Sequence, residues 1–172
     1  MHTAASRTSA ERTPATAARP AGDEADVFGL ATTLGFGDIH IKVDPVVELY
    51  AIIAIHDTRL GPALGGCRCI PYPSTEAALV DAMRLARGMT YKAAISGLRQ
   101  GGGKAVLVCP RAIKDREAYF ESFGRFVDEL GGRYITAVDS GTSPADMDIV
   151  ARQTRHVACT SGSNAGTGDP SP

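Results

Sequence analysis

The sequence predicts an α/β domain, and three observations carry that reading. Apolar runs of strand length recur along the chain, such as Leu49 to Ile55. Between them lie segments whose apolar residues repeat at helical spacing: Leu79, Met83, Ala86 and Ala93 in one, Tyr119, Phe123, Phe126, Val127 and Leu130 in another. Glycine and proline clusters separate the two kinds of segment. Strands alternating with helices make an α/β layer structure. The 172 residues suffice for one domain with a real core, and 44% hydrophobic against 22% charged residues is the balance of a soluble globular chain.

The elements follow in order. Residues 1–22 hold no aromatic or branched aliphatic side chain, so they cannot bury enough apolar surface to offset ordering, and a disordered tail is expected. Arg7, Arg12 and Arg19 fit a transit peptide less well than that tail. The domain proper is expected over 23–160. Ile39, Ile41 and Val43 alternate with His40 and Lys42, which suits a strand with one face in water. Leu49 to Ile55 is apolar throughout and suits a strand covered on both faces. Gly61-Pro62-Ala63-Leu64-Gly65-Gly66 reads as a loop, with a short strand over Cys67 to Ile70. Ser74 or Thr75 caps a helix that Gly88 interrupts at a cost of about 1 kcal/mol, which a close packing contact would explain. Lys104 to Val108 is a strand. A helix runs from about Asp115 to Leu130 and stops at Gly131-Gly132. Tyr134 to Ala137 is a strand, 144–153 a short helix, and 161–172 a linker rich in Gly, Ser and Pro.

Composition excludes several functions. A net charge of -1 gives no electrostatic case for nucleic acid or an anionic membrane, and no apolar run is long enough to span a bilayer. Cys67, Cys69, Cys109 and Cys159 form no C-x-x-C pair, so they read as reduced thiols of a cytoplasmic protein without a metal site, Cys67 and Cys69 pointing to one side of a strand.

Three ionisable residues sit where a ligand could meet them. Lys92 follows Gly88-Met89-Thr90-Tyr91, Lys104 follows Gly101-Gly102-Gly103 and opens a strand, and Asp139 ends a strand just before Gly141. Glycine lets backbone come close. The glycine run is not a phosphate loop: Leu98 stands where the first glycine should be, and Ala105 cannot ligate magnesium. A G-x-G-x-x-G fingerprint is absent from the chain, so no cofactor-binding residue is assigned.

Taken together, the motifs resemble the Glu/Leu/Phe/Val amino-acid dehydrogenase family, and within it the leucine dehydrogenase branch. Leu60 to Arg68 resembles the substrate loop. Arg87-Gly88-Met89-Thr90-Tyr91-Lys92-Ala93-Ala94 resembles the helix with the substrate-binding lysine. Gly101 to Val106 resembles the catalytic lysine motif, and Arg133 to Thr142 the catalytic aspartate motif. Gly168-Asp169-Pro170-Ser171-Pro172 resembles the segment that leads into the cofactor domain. The motifs run in the family's order, with twelve residues from Lys92 to Lys104 and thirty-five from Lys104 to Asp139. The resemblance covers about Ala51 to Pro172. Val138 stands where the leucine branch usually has an acid, and Ser140 where valine is usual.

The resemblance implies the fold of the family's N-terminal, oligomer-building domain, a mixed sheet flanked by helices, with the Rossmann domain absent from this chain. It implies that Lys92 binds the substrate carboxylate, assisted by groups near Gly65, Gly66 and Met89. Leu64, where glutamate-specific relatives carry a lysine, implies an aliphatic amino acid. Lys104 is implied as general base, its basicity set by burial and by a neighbouring cation, Lys92. Asp139 is implied to exchange protons with the substrate amine. NAD is the implied cofactor and a homo-oligomer the implied assembly. The expectation is the substrate half of a branched-chain amino-acid dehydrogenase, truncated and without turnover alone; the alternative is a non-catalytic oligomerisation module of the same descent.

Overall fold

The described residues, 27–36 and 38–162 of a computed structural model, form four helices and five strands. The expected tail over 1–22, most of the expected linker and the Gly168–Pro172 segment lie outside them. In chain order the elements are α1 (Val27–Leu34), β1 (Asp38–Asp44), β2 (Leu49–Asp57), β3 (Ala63–Ile70), α2 (Thr75–Ile95), β4 (Gly101–Val108), α3 (Arg116–Glu129), β5 (Tyr134–Val138) and α4 (Pro144–Ala151). The sheet runs β1-β2-β4-β3-β5. It is mixed: β2 pairs antiparallel with β1 and β4, while β3 pairs parallel with β4 and β5.

Side-chain alternation divides the core into two layers. On one face Ala51 and Ile53 of β2, Cys67 and Cys69 of β3, and Ala105 and Leu107 of β4 meet Tyr119, Phe123 and Val127 of α3 and Met147 of α4. On the other, Ile52 and Ala54 of β2 and Val106 of β4 meet Ala78, Ala82, Met83 and Ala86 of α2. Cys67 and Cys69 thus share a face, and all four cysteines are free thiols. Ser74 caps α2 by accepting from the Ala77 N–H, and Asp115 caps α3 by accepting from Ala118. No helix among the described residues is long and apolar enough to cross a membrane.

The structure departs from the sequence reading in places. Ala63 to Gly66 belongs to β3 and Gly101 to Gly103 to β4, because these glycines let strands press together: a Cβ on Gly65 would lie 1.7 Å from the Gly103 carbonyl oxygen. The β1 alternation has the right period but the exposed side is apolar. Ile41 is 62% and Val43 55% exposed, whereas Lys42 donates to Glu129 of α3 (2.6 Å). Helix α2 covers β2 and β4 and stops short of the edge strand. Gly88 has no close packing contact: a Cβ there would meet nothing within 4 Å. Helix α1 was not anticipated, although Val27, Leu30, Ala31 and Leu34 recur at helical spacing.

The two sheet edges differ. The outer edge of β5 is capped: Thr136 donates its N–H to the His156 carbonyl (3.1 Å) and accepts from the Ala158 N–H (2.8 Å). The outer edge of β1 has no partner strand among the described residues.

Candidate active site

Helix α2 leaves its face of β3 and β5 uncovered, and the charged residues of the sheet gather there. Alternation puts Lys104 on this face with Val106, and Arg68 with Gly66 and Leu64. The register that pairs Cys67 with Val138 and with Ala105 sets Arg68 between the ends of β4 and β5. Asp139 follows β5 directly. The Lys104 Nζ lies 2.5 Å from Asp139 Oδ2, although β3 separates β4 from β5.

Gly66 explains how this bridge crosses a strand. A Cβ on Gly66 would stand 2.7 Å from the Asp139 Cβ and 2.7 Å from the Val138 carbonyl oxygen. Only a residue without a side chain leaves Asp139 its place. Thr142 fixes the backbone around it: its hydroxyl donates to the Cys67 carbonyl (2.9 Å) and accepts the Asp139 N–H (2.9 Å). On the opposite face the Tyr134 hydroxyl donates to the Gly65 carbonyl (2.6 Å), tying β5 to β3.

The electrostatics favour an ionised Asp139. Burial alone would push its carboxyl up. The hydrogen bond and charge of Lys104, the Ser140 N–H and the Arg68 charge overcome burial and hold it below the ordinary carboxylate range. The Lys104 side chain is 6% exposed and that of Asp139 23%. The pair is therefore shielded at the lysine and open to solvent at the carboxylate, so a ligand can reach the acid.

The other residues that the sequence singled out are distributed around this pair. Gly65 and Gly66 are buried in β3, and half-buried Leu64 pairs with Ile135 of β5 to give the open face an apolar patch. Met89 is half-buried on α2. Lys92 lies in the last turn of α2, exposed, and its ammonium has no hydrogen bond or ion pair among the described residues. The group in contact with Lys104 is the Asp139 carboxylate, whereas the chemistry of a lysine base had pointed to the Lys92 ammonium as its neighbouring charge. The flank of α2 that carries Lys92 also carries Gly88 and Asp81, four and eleven residues earlier. Bare Gly88 leaves that flank open.

Sequence reasoning missed the charges that back Asp139. Arg68 Nε donates to Asp139 Oδ2 (3.0 Å), its NH1 donates to Asp81 Oδ2 (3.0 Å), and the Tyr72 hydroxyl donates to that same Asp81 oxygen (2.6 Å). Arg68 stood inside a quoted motif, but nothing in the sequence said which acids would face it.

The described residues do not fit a dinucleotide. A pyrophosphate needs a glycine-rich turn from a strand into a helix N-terminus. The turns after β3 and β4, Pro71 to Ser74 and Cys109 to Asp115, contain no glycine. After β5, the N-terminus of α4 is already filled by the Asp146 carboxylate in a capping box with Ser143.

Comparison with known proteins adds independent findings. The family model for the Glu/Leu/Phe/Val dehydrogenase dimerisation domain matches residues 38–156. The leucine dehydrogenase of Geobacillus stearothermophilus is 50% identical over 147 residues, covering 86% of this chain and 40% of that protein. The valine dehydrogenase of Streptomyces coelicolor is 55% identical over 138 residues, covering 80% of this chain and 38% of that protein. Among solved structures, L-tryptophan dehydrogenase from Nostoc punctiforme matches with a TM-score of 0.71 at 44% identity, covering 76% of this chain and 38% of that one. The chain spans about two fifths of the length of the curated relatives it matches.

Proposed function

Because this chain belongs to the Glu/Leu/Phe/Val dehydrogenase family, we propose that it is the substrate-binding, catalytic half of an NAD-dependent leucine-type dehydrogenase. The reaction is oxidative deamination of a branched-chain L-amino acid to the 2-oxo acid and ammonia. The observation that carries the reading is the Lys104–Asp139 pair, 2.5 Å apart on the uncovered sheet face beside Gly66.

The substrate carboxylate is held by Lys92, whose ammonium is unengaged among the described residues and which shares a flank of α2 with Asp81, the partner of Arg68. The substrate side chain is read as lying against Leu64 and Met89. An aliphatic group suits that wall, while a second carboxylate would be buried there without a partner. Gly66 leaves the Asp139 side chain its place on that face, and Gly65 lets β3 press against β4 beneath it. The substrate amine meets Asp139, which accepts a proton because it is ionised at neutral pH. Lys104, released from Asp139 by the incoming ammonium, moves the proton of the water that attacks the imine carbon. Oxidation of the amine also needs a hydride acceptor; NAD is the one implied by the family resemblance, and no described residue is assigned to it.

The family model's description as a dimerisation domain supports a homo-oligomer, and exposed Ile41, Val43 and Tyr50 on β1 and β2 give it an apolar surface to cover. Free cysteines and a soluble composition support a cytoplasmic location.

The test joins this chain to the C-terminal portion of the Geobacillus stearothermophilus leucine dehydrogenase and follows NAD reduction with leucine, valine and glutamate. Turnover with leucine or valine is expected. A folded chimera that prefers glutamate, or binds NAD yet oxidises no aliphatic amino acid, would overturn the reading.

A further inference from the structure

We propose that Arg68 is a positioning residue that keeps the Asp139 carboxylate in place and ionised when Lys104 leaves it, an inference that rests on reading Asp139 as the group exchanging protons with the substrate amine.

Two cations converge on one oxygen. Asp139 Oδ2 accepts from Arg68 Nε at 3.0 Å and faces Lys104 Nζ at 2.5 Å. They are not equivalent. A lysine can give up its proton, and it must part from Asp139 to act on water. A guanidinium keeps its charge throughout. Arg68 therefore supplies a permanent counter-charge through a cycle in which the Lys104 contact comes and goes.

The geometry is that of a clamp. Arg68 is held at its far end by Asp81 of α2, which the Tyr72 hydroxyl braces in turn. A planar fork anchored at one arm presents the other at a fixed angle. Were Arg68 needed only to tie α2 to β3, the Asp81 contact would suffice; the Nε contact to Asp139 is additional.

Counting charge supports this. The cluster holds Arg68 and Lys104 against Asp81 and Asp139, two of each sign. Removing Arg68 leaves two carboxylates with one cation, and that cation is the one the chemistry moves. The groups facing Asp139 are Lys104 from β4, Arg68 from β3 and the Ser140 N–H. Asp81 and Tyr72 act through Arg68, and Cys67 and Tyr134 lie on the opposite face of the sheet.

The experiment is a carbon-13 titration of the Asp139 side-chain carboxyl in the purified chain. It compares the parent with Arg68→Met, Arg68→Gln and Asp81→Asn. Both Arg68 variants should move the Asp139 midpoint upward. Asp81→Asn should leave it unchanged or lower, because an anion is lost and the arginine charge remains. An unchanged midpoint in folded Arg68→Met would overturn the proposal. If that variant does not fold, Arg68→Gln, which keeps a hydrogen-bond donor, decides by the same criterion. In a chimera bearing the cofactor half, Arg68→Gln should also move the acid limb of kcat/KM to higher pH. Unchanged turnover in Asp139→Asn would overturn the enzymatic reading while leaving the carbon titration intact, so the two ideas fail separately.

Discussion

Gly66→Ala is the smallest change that should dismantle the site. The added carbon would stand 2.7 Å from the Asp139 Cβ and from the Val138 carbonyl oxygen. Carbon contacts settle near 3.5 Å, so Asp139 and the end of β5 must retreat by about 0.8 Å. β5 resists, being pinned by the Tyr134–Gly65 hydrogen bond and by Thr142 bridging Cys67 and Asp139. Overpacking of this kind costs about 1–3 kcal/mol. The chemical cost should be larger. A displacement near 1 Å of a reacting group can cost on the order of a hundredfold in rate, and here it opens the 2.5 Å Lys104–Asp139 contact directly. The assay is steady-state amino-acid oxidation by the chimera, with a urea melt on the same sample. A fall of about a hundredfold in kcat, with KM for the amino acid little changed, is expected. Parent-like kcat in a folded Gly66→Ala protein would refute the idea that this glycine makes room for the catalytic pair.

Four further expectations follow from the same geometry. In the chimera, Lys92→Ala should chiefly raise KM, by an amount equivalent to about 1.5–3 kcal/mol for a lost charged hydrogen bond, whereas Lys104→Ala should lower kcat by roughly 10²–10⁴-fold; the reverse split in steady-state kinetics would exchange their roles. Asp146→Asn should destabilise the fold by about 3 kcal/mol at neutral pH, because buried Asp146 accepts from Arg116 Nε (2.6 Å) and NH2 (2.8 Å). Burial pushes the Asp146 carboxyl up, but Arg116 and Ser143 hold it below the ordinary value, so its contribution is full above about pH 4 and is lost as pH falls through the lowered value; urea midpoints of parent and variant should converge in acid. Thiol labelling at neutral pH should modify exposed Cys159 first and Cys67 last, since burial of Cys67 is complete and pushes its thiol well above the ordinary value. The purified 172-residue chain should reduce no NAD with leucine, as its described residues offer a dinucleotide no seat; steady NADH absorbance growth would contradict this.

What the sequence made legible was whatever depends on period and local chemistry. The buried stripes of α2 and α3, a cap at Ser74 or Thr75 and the two-sided burial of β2 were all readable. Lys104 and Asp139 were readable as site residues once the motifs were taken together, but their direct contact was not, since the sequence offered Lys92 as the charge beside Lys104. What depends on how layers lie over one another was not. The alternation of β1 says that two faces differ, but Ile41 and Val43 meet water because α2 ends its coverage at β2. The glycine runs at 65–66 and 101–103 looked like loop or ligand-approach segments. They are strand residues whose missing side chains admit another strand, the Tyr134 ring or Thr90 of α2. Gly88 looked like a packing contact and instead borders open space on the Lys92 flank. Arg68 was invisible as a functional residue because its partners, Asp81 and Asp139, lie thirteen and seventy-one residues away, and no local spacing encodes such pairs.

The unequal sheet edges have a consequence for how copies of this chain can add to one another. Backbone pairing between copies needs an open edge on each. The 156–158 segment closes the β5 edge, so among the described residues only β1 can take part. In polymer terms the sheet is monofunctional. A β1 edge meeting a β1 edge uses the same patch twice and closes at two, whereas a head-to-tail fibre would require a free β5 as well. Pairing through the β1 backbone can therefore join two copies in a shared sheet, and among the described residues it opens no route to runaway strand addition.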